Sequence, residues 1–230
     1  MRKIIFPILL GVVGCAILIS LGVWQMQRLQ WKSAILAEID ARITAAPIVI
    51  PVGPDENVDK YLPVTVAGQL VGEPIFALVT PDGLGPGYRY IQALETDSRT
   101  ILVDMGWVPL QNLGTQDSRF SHLEITGNLH WPDEQDDWTP EPDPTGIWFA
   151  RDVPRMSAAL ATDPIMVVVR EYQIQRLTTP LQQMPFQPLP LDSGVIKNDH
   201  LNYAVTWFSL ALVWALMTFF LIFRIRQKDH

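Results

Sequence analysis

One cysteine, Cys15, stands in 230 residues. No intrachain disulfide can form, and no cysteine-based zinc or copper site can be built. Histidine is almost as scarce, and His122, His130, His200 and His230 show no metal-ligand spacing. Basic charge is short across the middle of the chain. Between Gln25 and Asn202 there are 12 Lys and Arg against 23 Asp and Glu, a net of −11. That excess argues against this region binding nucleic acid or an anionic lipid surface.

Also missing is any Ser-His-Asp, Cys-His or nucleophile-elbow arrangement. The glycine-rich stretch GLGPG at 83–87 lacks a following helix whose exposed N–H groups could hold phosphate. It is expected to be a β-turn, and no enzyme is expected.

Hydrocarbon is plentiful, and it is concentrated at the two ends. Ile4 to Trp24 is 21 residues without a charge, and Ala204 to Phe223 is another 20. Each matches the roughly 20 residues a helix needs to cross a bilayer core. Pro7 falls early in the first run, where N–H groups lack partners anyway. A cleaved signal would want a shorter apolar region and a small-residue cleavage site. VVGC at 12–15 loosely resembles a lipoprotein site, but nine more apolar residues follow Cys15, which is better read as a small packing residue. Two membrane spans are expected.

Arg2 and Lys3 precede the first run, and Arg224, Arg226 and Lys228 follow the second. Basic residues beside spans favour the cytoplasmic side, so both termini are expected there, although Arg28 and Lys32 weaken the contrast. With so short a stretch ahead of the first run, no transit peptide is expected. The expected home is a bacterial inner membrane, with the central domain in the periplasm.

Between the runs the pattern shortens. Segments 62–70, 74–80, 88–96, 100–110, 123–131 and 164–172 are rich in Val, Ile, Thr and aromatics, and are bounded by Gly, Pro and Asp. Their spacing predicts an antiparallel barrel-like or sandwich domain. One helix is expected after Asp152, a plausible N-cap, with Pro154 in its first turn. The acidic stretch 132–145 reads as an exposed loop, and 176–199, with Pro180, Pro185, Pro188 and Pro190, as a stiff extended connector. The expected organisation is therefore 1–3 cytoplasmic, 4–24 spanning, 25–202 periplasmic and β-rich with a helical extension of the first span, 204–223 spanning, and 224–230 cytoplasmic.

The two junctions facing the periplasm carry the densest chemistry. In LGVWQMQRLQWK (21–32) a continuing helix places Trp24, Arg28 and Trp31 on one face, with Gln25 and Lys32 beside them. In NDHLNYAVTWF (198–208) His200, Tyr203 and Trp207 share a face, continued by Leu210 and Trp214. Antiparallel spans bring both clusters to one boundary. One reading is an aromatic belt with basic anchors. The other is a site for a large, flat, amphipathic ligand. Imidazole is the usual axial donor to haem iron, Trp and Tyr offer wide apolar faces, and Arg28 and Lys32 could pair with carboxylates. Residue types alone leave both readings open.

The chain resembles the Surfeit-locus (Surf-one) family of cytochrome oxidase assembly factors, in order and over nearly its whole length. The resemblance is carried by LGVWQMQRLQWK, YLPVTVAGQL (61–70), GPGYRYIQALETDSRTILVDMGWVP (85–109), WFARDVPRMSAALATDPI (148–165) and NDHLNYAVTWFSLA (199–212). Asp104 and Met105 stand where the family's motif has a polar-basic pair, so no role carries over to them. The resemblance implies a non-enzymatic part in oxidase biogenesis. It implies transient binding of haem a through His200, with Trp24, Arg28, Trp31, Tyr203 and Trp207 forming the pocket. The implied partners are cytochrome c oxidase subunit I, other assembly factors and haem a synthase. A chaperone that docks on the oxidase without carrying haem is the rival reading. A periplasmic enzyme anchored at both ends would need His122, His130 and the acidic loop to share one pocket.

Overall fold

In the computed structural model, which describes residues 2–112, 122–174 and 186–228, the first uncharged run lies inside a single helix, α1 (Arg2–Ile43). Pro7 falls in its second turn, inside the helix rather than at its start. β1 (Ile48–Val49), α2 (Glu56–Asp59), β2 (Pro63–Val79), β3 (Gly87–Glu95) and β4 (Thr100–Pro109) follow. Then come β5 (Leu123–Leu129), β6 (Ile147–Trp148), α3 (Val153–Leu160), β7 (Met166–Ile174) and α4 (His200–Lys228), which contains the second run. Short 3-10 turns occupy Leu110–Asn112 and Ser193–Val195. The chain divides into two units, Met1–Glu38 with Ser193–His230, and Ile39–Asp192. Pro180 and Pro185 of the expected connector, and His230, lie outside the described residues.

In the first unit, α1 and α4 are each long and apolar enough to cross a membrane, and their apolar windows are almost wholly unburied by protein. Hydrocarbon side chains such as Phe6, Val12, Leu212 and Phe219 stand outward. The buried positions are small or polar: Gly11, Gly22 and Gln25 on α1, and Ala204 and Ala211 on α4. That is the reverse of a soluble protein's helix pair, and it is the pattern of helices solvated by lipid.

The second unit is β-rich, as the strand pattern predicts, but its sheet is mixed and its ring of strands is not a true barrel. β2 pairs β3, β3 pairs β4 and β5 pairs β7, all antiparallel, whereas β4 and β7 run parallel. β2 closes the ring by dividing itself: Pro63 to Gly68 pair with β5, and Gln69 to Val79 with β3. β1 and β6 add two short parallel pairings to β2. The two segments expected at 62–70 and 74–80 are one strand. Gly72, at φ +71°, takes up a bulge between Val71 and Ile75, so the strand bends instead of ending.

The core is filled from β3, β4, β5 and β7, with Tyr90, Ile91, Leu94, Ile101, Leu102 and Ile125 fully enclosed. α3 packs on β2 and β4. It begins where the sequence predicts, with the Asp152 carboxylate accepting the Arg155 N–H at 3.1 Å. It ends at Ala161 in the left-handed region, φ +54°. The described part of the connector is no free linker. Phe186 is buried against Tyr90, and Gln187 exchanges two backbone hydrogen bonds with Trp107.

Candidate functional site

The seam between α1 and α4 is set by residues too small to keep the helices apart. A Cβ on Gly11 would collide with Thr218, one on Gly14 with the Trp214 indole, and one on Gly22 with Phe208. Between these notches the Cys15 thiol reaches the Ala211 carbonyl at 3.8 Å. Such close approach is what lets helices associate where no water can drive them together. Toward the far end of the seam, polar pairs take over. The Lys32 ammonium donates to the Lys197 carbonyl, and the Asn198 amide lies 3.3 Å from the Ser33 hydroxyl.

The candidate ligand sits at this changeover. His200 is the first residue of α4, and its Nδ1 lies 2.7 Å from Oε1 of Gln25, which is buried on α1. A carboxamide oxygen can only accept, so it takes the Nδ1–H, and in a neutral imidazole that tautomer leaves the Nε2 lone pair for a ligand. A second partner that holds one ring nitrogen is how proteins orient a metal-ligating histidine. The donor set therefore fits a haem iron with one imidazole ligand. Among the described residues no three His, Cys, Asp or Glu side chains are grouped to hold a metal ion.

The Arg28 guanidinium lies over both tryptophans of its face, 5.8 Å from the Trp24 ring centre and 4.9 Å from that of Trp31. Both distances are within cation–π range. The α4 face divides. His200 and Trp207 follow the seven-residue spacing of the seam and are half-buried, whereas Tyr203 and Leu210 face outward. Trp24, Trp31 and Tyr203 are all about half exposed. The structure thus joins Gln25 to His200, and Arg28 to Trp24 and Trp31. Lys32 gives one of its three ammonium donors to the Lys197 carbonyl. The sequence carries a signal for Gln25 as a partner of His200. Gly11, Leu18, Gln25 and Lys32 recur every seven residues, so Gln25 continues the seam.

A second polar cluster lies in the β unit. The Asp104 carboxylate, fully enclosed, accepts from Arg89 at 2.7 Å, from Arg151 at 3.0 Å and from the Gly106 N–H at 3.1 Å. Glu134 completes the set, taking the Arg151 Nε at 3.1 Å and its N–H at 2.9 Å. Burial, the largest influence, pushes the Asp104 carboxyl up, but the charges of Arg89 and Arg151 and their hydrogen bonds outweigh it and hold the group below the usual carboxylate value. Two cations and two carboxylates balance. Asp104 and Met105 thus acquire roles: one anchors buried arginines, and the other fills the core at the bulge made by Gly106, φ +106°. The acidic stretch 132–145 is exposed over most of its length, but Glu134 and Glu141 are tied down by Arg151 and Arg155.

His130 lies beside this network with an unpartnered, buried Nδ1, and desolvation followed by Arg151 and Lys60 lowers its pKa to about 4. His122 stands at the opposite end of β5, roughly 25 Å away by strand rise. The two histidines and the acidic loop therefore do not share a pocket.

The chain is similar to SURF1-like proteins of Rickettsia felis (28% identical, over 94% of this chain and 96% of the relative) and Rickettsia conorii (29%, over 91% and 88%). It is also similar to the Surfeit locus protein 1 of Rattus norvegicus, at 25% identity over 87% of this chain and 70% of the relative. The model of the SURF1 family matches residues 12–212, which take in most of α1, the whole β unit and the first turns of α4, and the chain belongs to the SURF1 family.

Proposed function

We propose that this protein is an assembly factor for haem–copper cytochrome c oxidase that carries haem a at the membrane boundary and helps deliver it to the catalytic subunit. Family membership supports the assembly role. The observation that supports the haem reading is the Gln25–His200 hydrogen bond, because a neutral ring that donates from Nδ1 would present Nε2 to an iron. Bound haem a would supply the iron that this nitrogen ligates. Trp24, Trp31, Tyr203 and Trp207 would offer apolar faces, and Arg28 a cation for the haem carboxylates. A single neutral imidazole suits a carrier, which must release its cargo, better than two strong axial ligands would.

On this reading the protein sits in a bacterial inner membrane with both termini in the cytoplasm and the β unit in the periplasm. Its partners would be oxidase subunit I, other assembly factors and haem a synthase. It performs no catalysis.

The experiment is purification from cells that make haem a, comparing wild type with His200→Ala by absorption spectroscopy. The wild type is expected to carry haem a, and the variant to lose most of it or to show a changed spectrum. Unchanged haem in the variant removes His200 as ligand. Colourless wild-type protein would instead establish a chaperone that carries no haem, with the half-exposed Trp24, Trp31 and Tyr203 serving as a membrane belt.

A further inference from the structure

The seam is tight where the glycines meet α4, and beside the Gly11–Thr218 contact, toward the end bearing both termini, the surface of the helix pair is hollowed. A cavity of about 350 Å³ opens there, walled by Pro7 and Leu10 on α1 and by Met217, Phe220 and Leu221 on α4. Two features of the sequence account for it. Gly11 brings no side chain to the wall, and Pro7 within α1 removes a helical hydrogen bond and favours a kink at this turn. The lining is mainly hydrocarbon, with the Trp214 indole and Thr218 beside Gly11, and its one charged contributor is Arg224.

Arg224 is the first charge after the 20 uncharged residues of the second run, so it stands where hydrocarbon gives way to headgroups. Among the described residues no carboxylate pairs with it. Arg226 follows two positions later.

We infer that this groove is a binding site for an anionic phospholipid, with one acyl chain along the apolar walls and the phosphate on Arg224. The shape and charge point to one occupant. A transmembrane helix from another protein would fill the groove but bury Arg224 without an anion, which is costly in hydrocarbon. A phospholipid supplies hydrocarbon and anion together. Basic pockets between spans select anionic headgroups in the same way, because a zwitterionic headgroup brings its own cation to compete. The site is independent of haem and lies at the other end of the seam from His200.

The test uses the full chain in nanodiscs of equal parts phosphatidylglycerol and phosphatidylcholine, followed by native mass spectrometry of retained lipid. Wild type is expected to keep phosphatidylglycerol several-fold over phosphatidylcholine, as a single adduct. Arg224→Gln is expected to abolish the preference, Arg226→Gln to leave it, and Leu221→Trp, which fills the groove, to reduce retention of both lipids. Equal retention in the wild type overturns the proposal. So does a preference that disappears with Arg226→Gln as readily as with Arg224→Gln, because the basic end as a whole would then attract the lipid. Retention unchanged by Leu221→Trp shows that the chain lies elsewhere and equally overturns it.

Discussion

His200 and Gln25, 175 positions apart in the chain, meet at 2.7 Å between Nδ1 and Oε1. The bond is worth little as stability in a polar boundary, but by accepting from Nδ1–H it favours the neutral tautomer in which Nε2 is free. A ligand's second partner commonly affects metal affinity by about 10–100-fold. Gln25→Ala is therefore expected to weaken haem a binding by that order in a titration of purified protein. Gln25→Glu, which retains an acceptor, should bind more tightly than Gln25→Ala. Equal affinity in all three proteins would show that the contact does not orient a ligand.

The seam predicts a cross-link that uses the native thiol. Cys15 touches the Ala211 carbonyl, so Ala211→Cys places a second sulfur beside the only natural one. Oxidation in membranes should join the two spans within one chain, readable as unchanged gel mobility after cleavage of the β unit. Adding Gly14→Leu, which drives a side chain into the Trp214 indole, should cut the yield severalfold. No cross-link in the Ala211→Cys protein would mean a different register.

Asp104 holds two arginines out of water, and removing one member of a buried ionic set costs about 3–5 kcal/mol because the rest stay unpaired. Asp104→Ala is expected to lose stability of that order in denaturant unfolding of the β unit, and Asp104→Asn less, since it keeps an acceptor for Arg89. A loss below 1 kcal/mol in Asp104→Ala would mean that water reaches the arginines.

His130 sets a pH dependence at a milder acidity. Unfolded, it titrates near 6.5; folded, at about 4. Between those values the unfolded chain binds the extra proton, so stability falls as pH drops through the window, by roughly 2 kcal/mol after allowing for partial exposure. His130→Phe retains a ring against Tyr61 and should flatten that slope in melts from pH 7 to pH 4. Asp104 and Glu134, both held below their usual values, act in the same direction at lower pH, where protonating them in the folded state removes their contribution. Identical slopes in wild type and His130→Phe would count against the burial of this ring.

Gly106 holds a backbone conformation that other residues rarely adopt, and a Cβ there would strike the Gln187 carbonyl. Gly106→Ala should break the paired hydrogen bonds between Trp107 and Gln187. Hydrogen exchange would show lost protection at both amides while those of Ile101 and Leu102 stay protected.

Local chemistry made several parts of the molecule legible from residues alone. Twenty uncharged residues in a row can do little but cross or cover hydrocarbon, so the two long helices followed from composition. Asp152 ahead of Pro154 specified a helix start, because a cap acts within one turn. Alternating β-branched residues mark the strands, but the segments 62–70 and 74–80 prove to be one strand that bends through Gly72. Whether a glycine ends a strand or bulges it depends on the neighbour that continues pairing, here β3.

The sequence by itself determined what solvates each segment and which side chains stand near one another along a helix: the spans, the Trp24, Arg28 and Trp31 ladder, and His200 at a span's edge. Only the tertiary structure decided partners distant in the chain. It set Gln25 on His200, Lys32 on the Lys197 carbonyl, and Arg89, Arg151 and Glu134 around Asp104. It also made β4 and β7 parallel within a ring of strands that is not a true barrel. The reason is one of range: periodicity and capping act over a few residues, whereas the rotation of one helix against another, and the order of strands, are settled by packing across the whole fold.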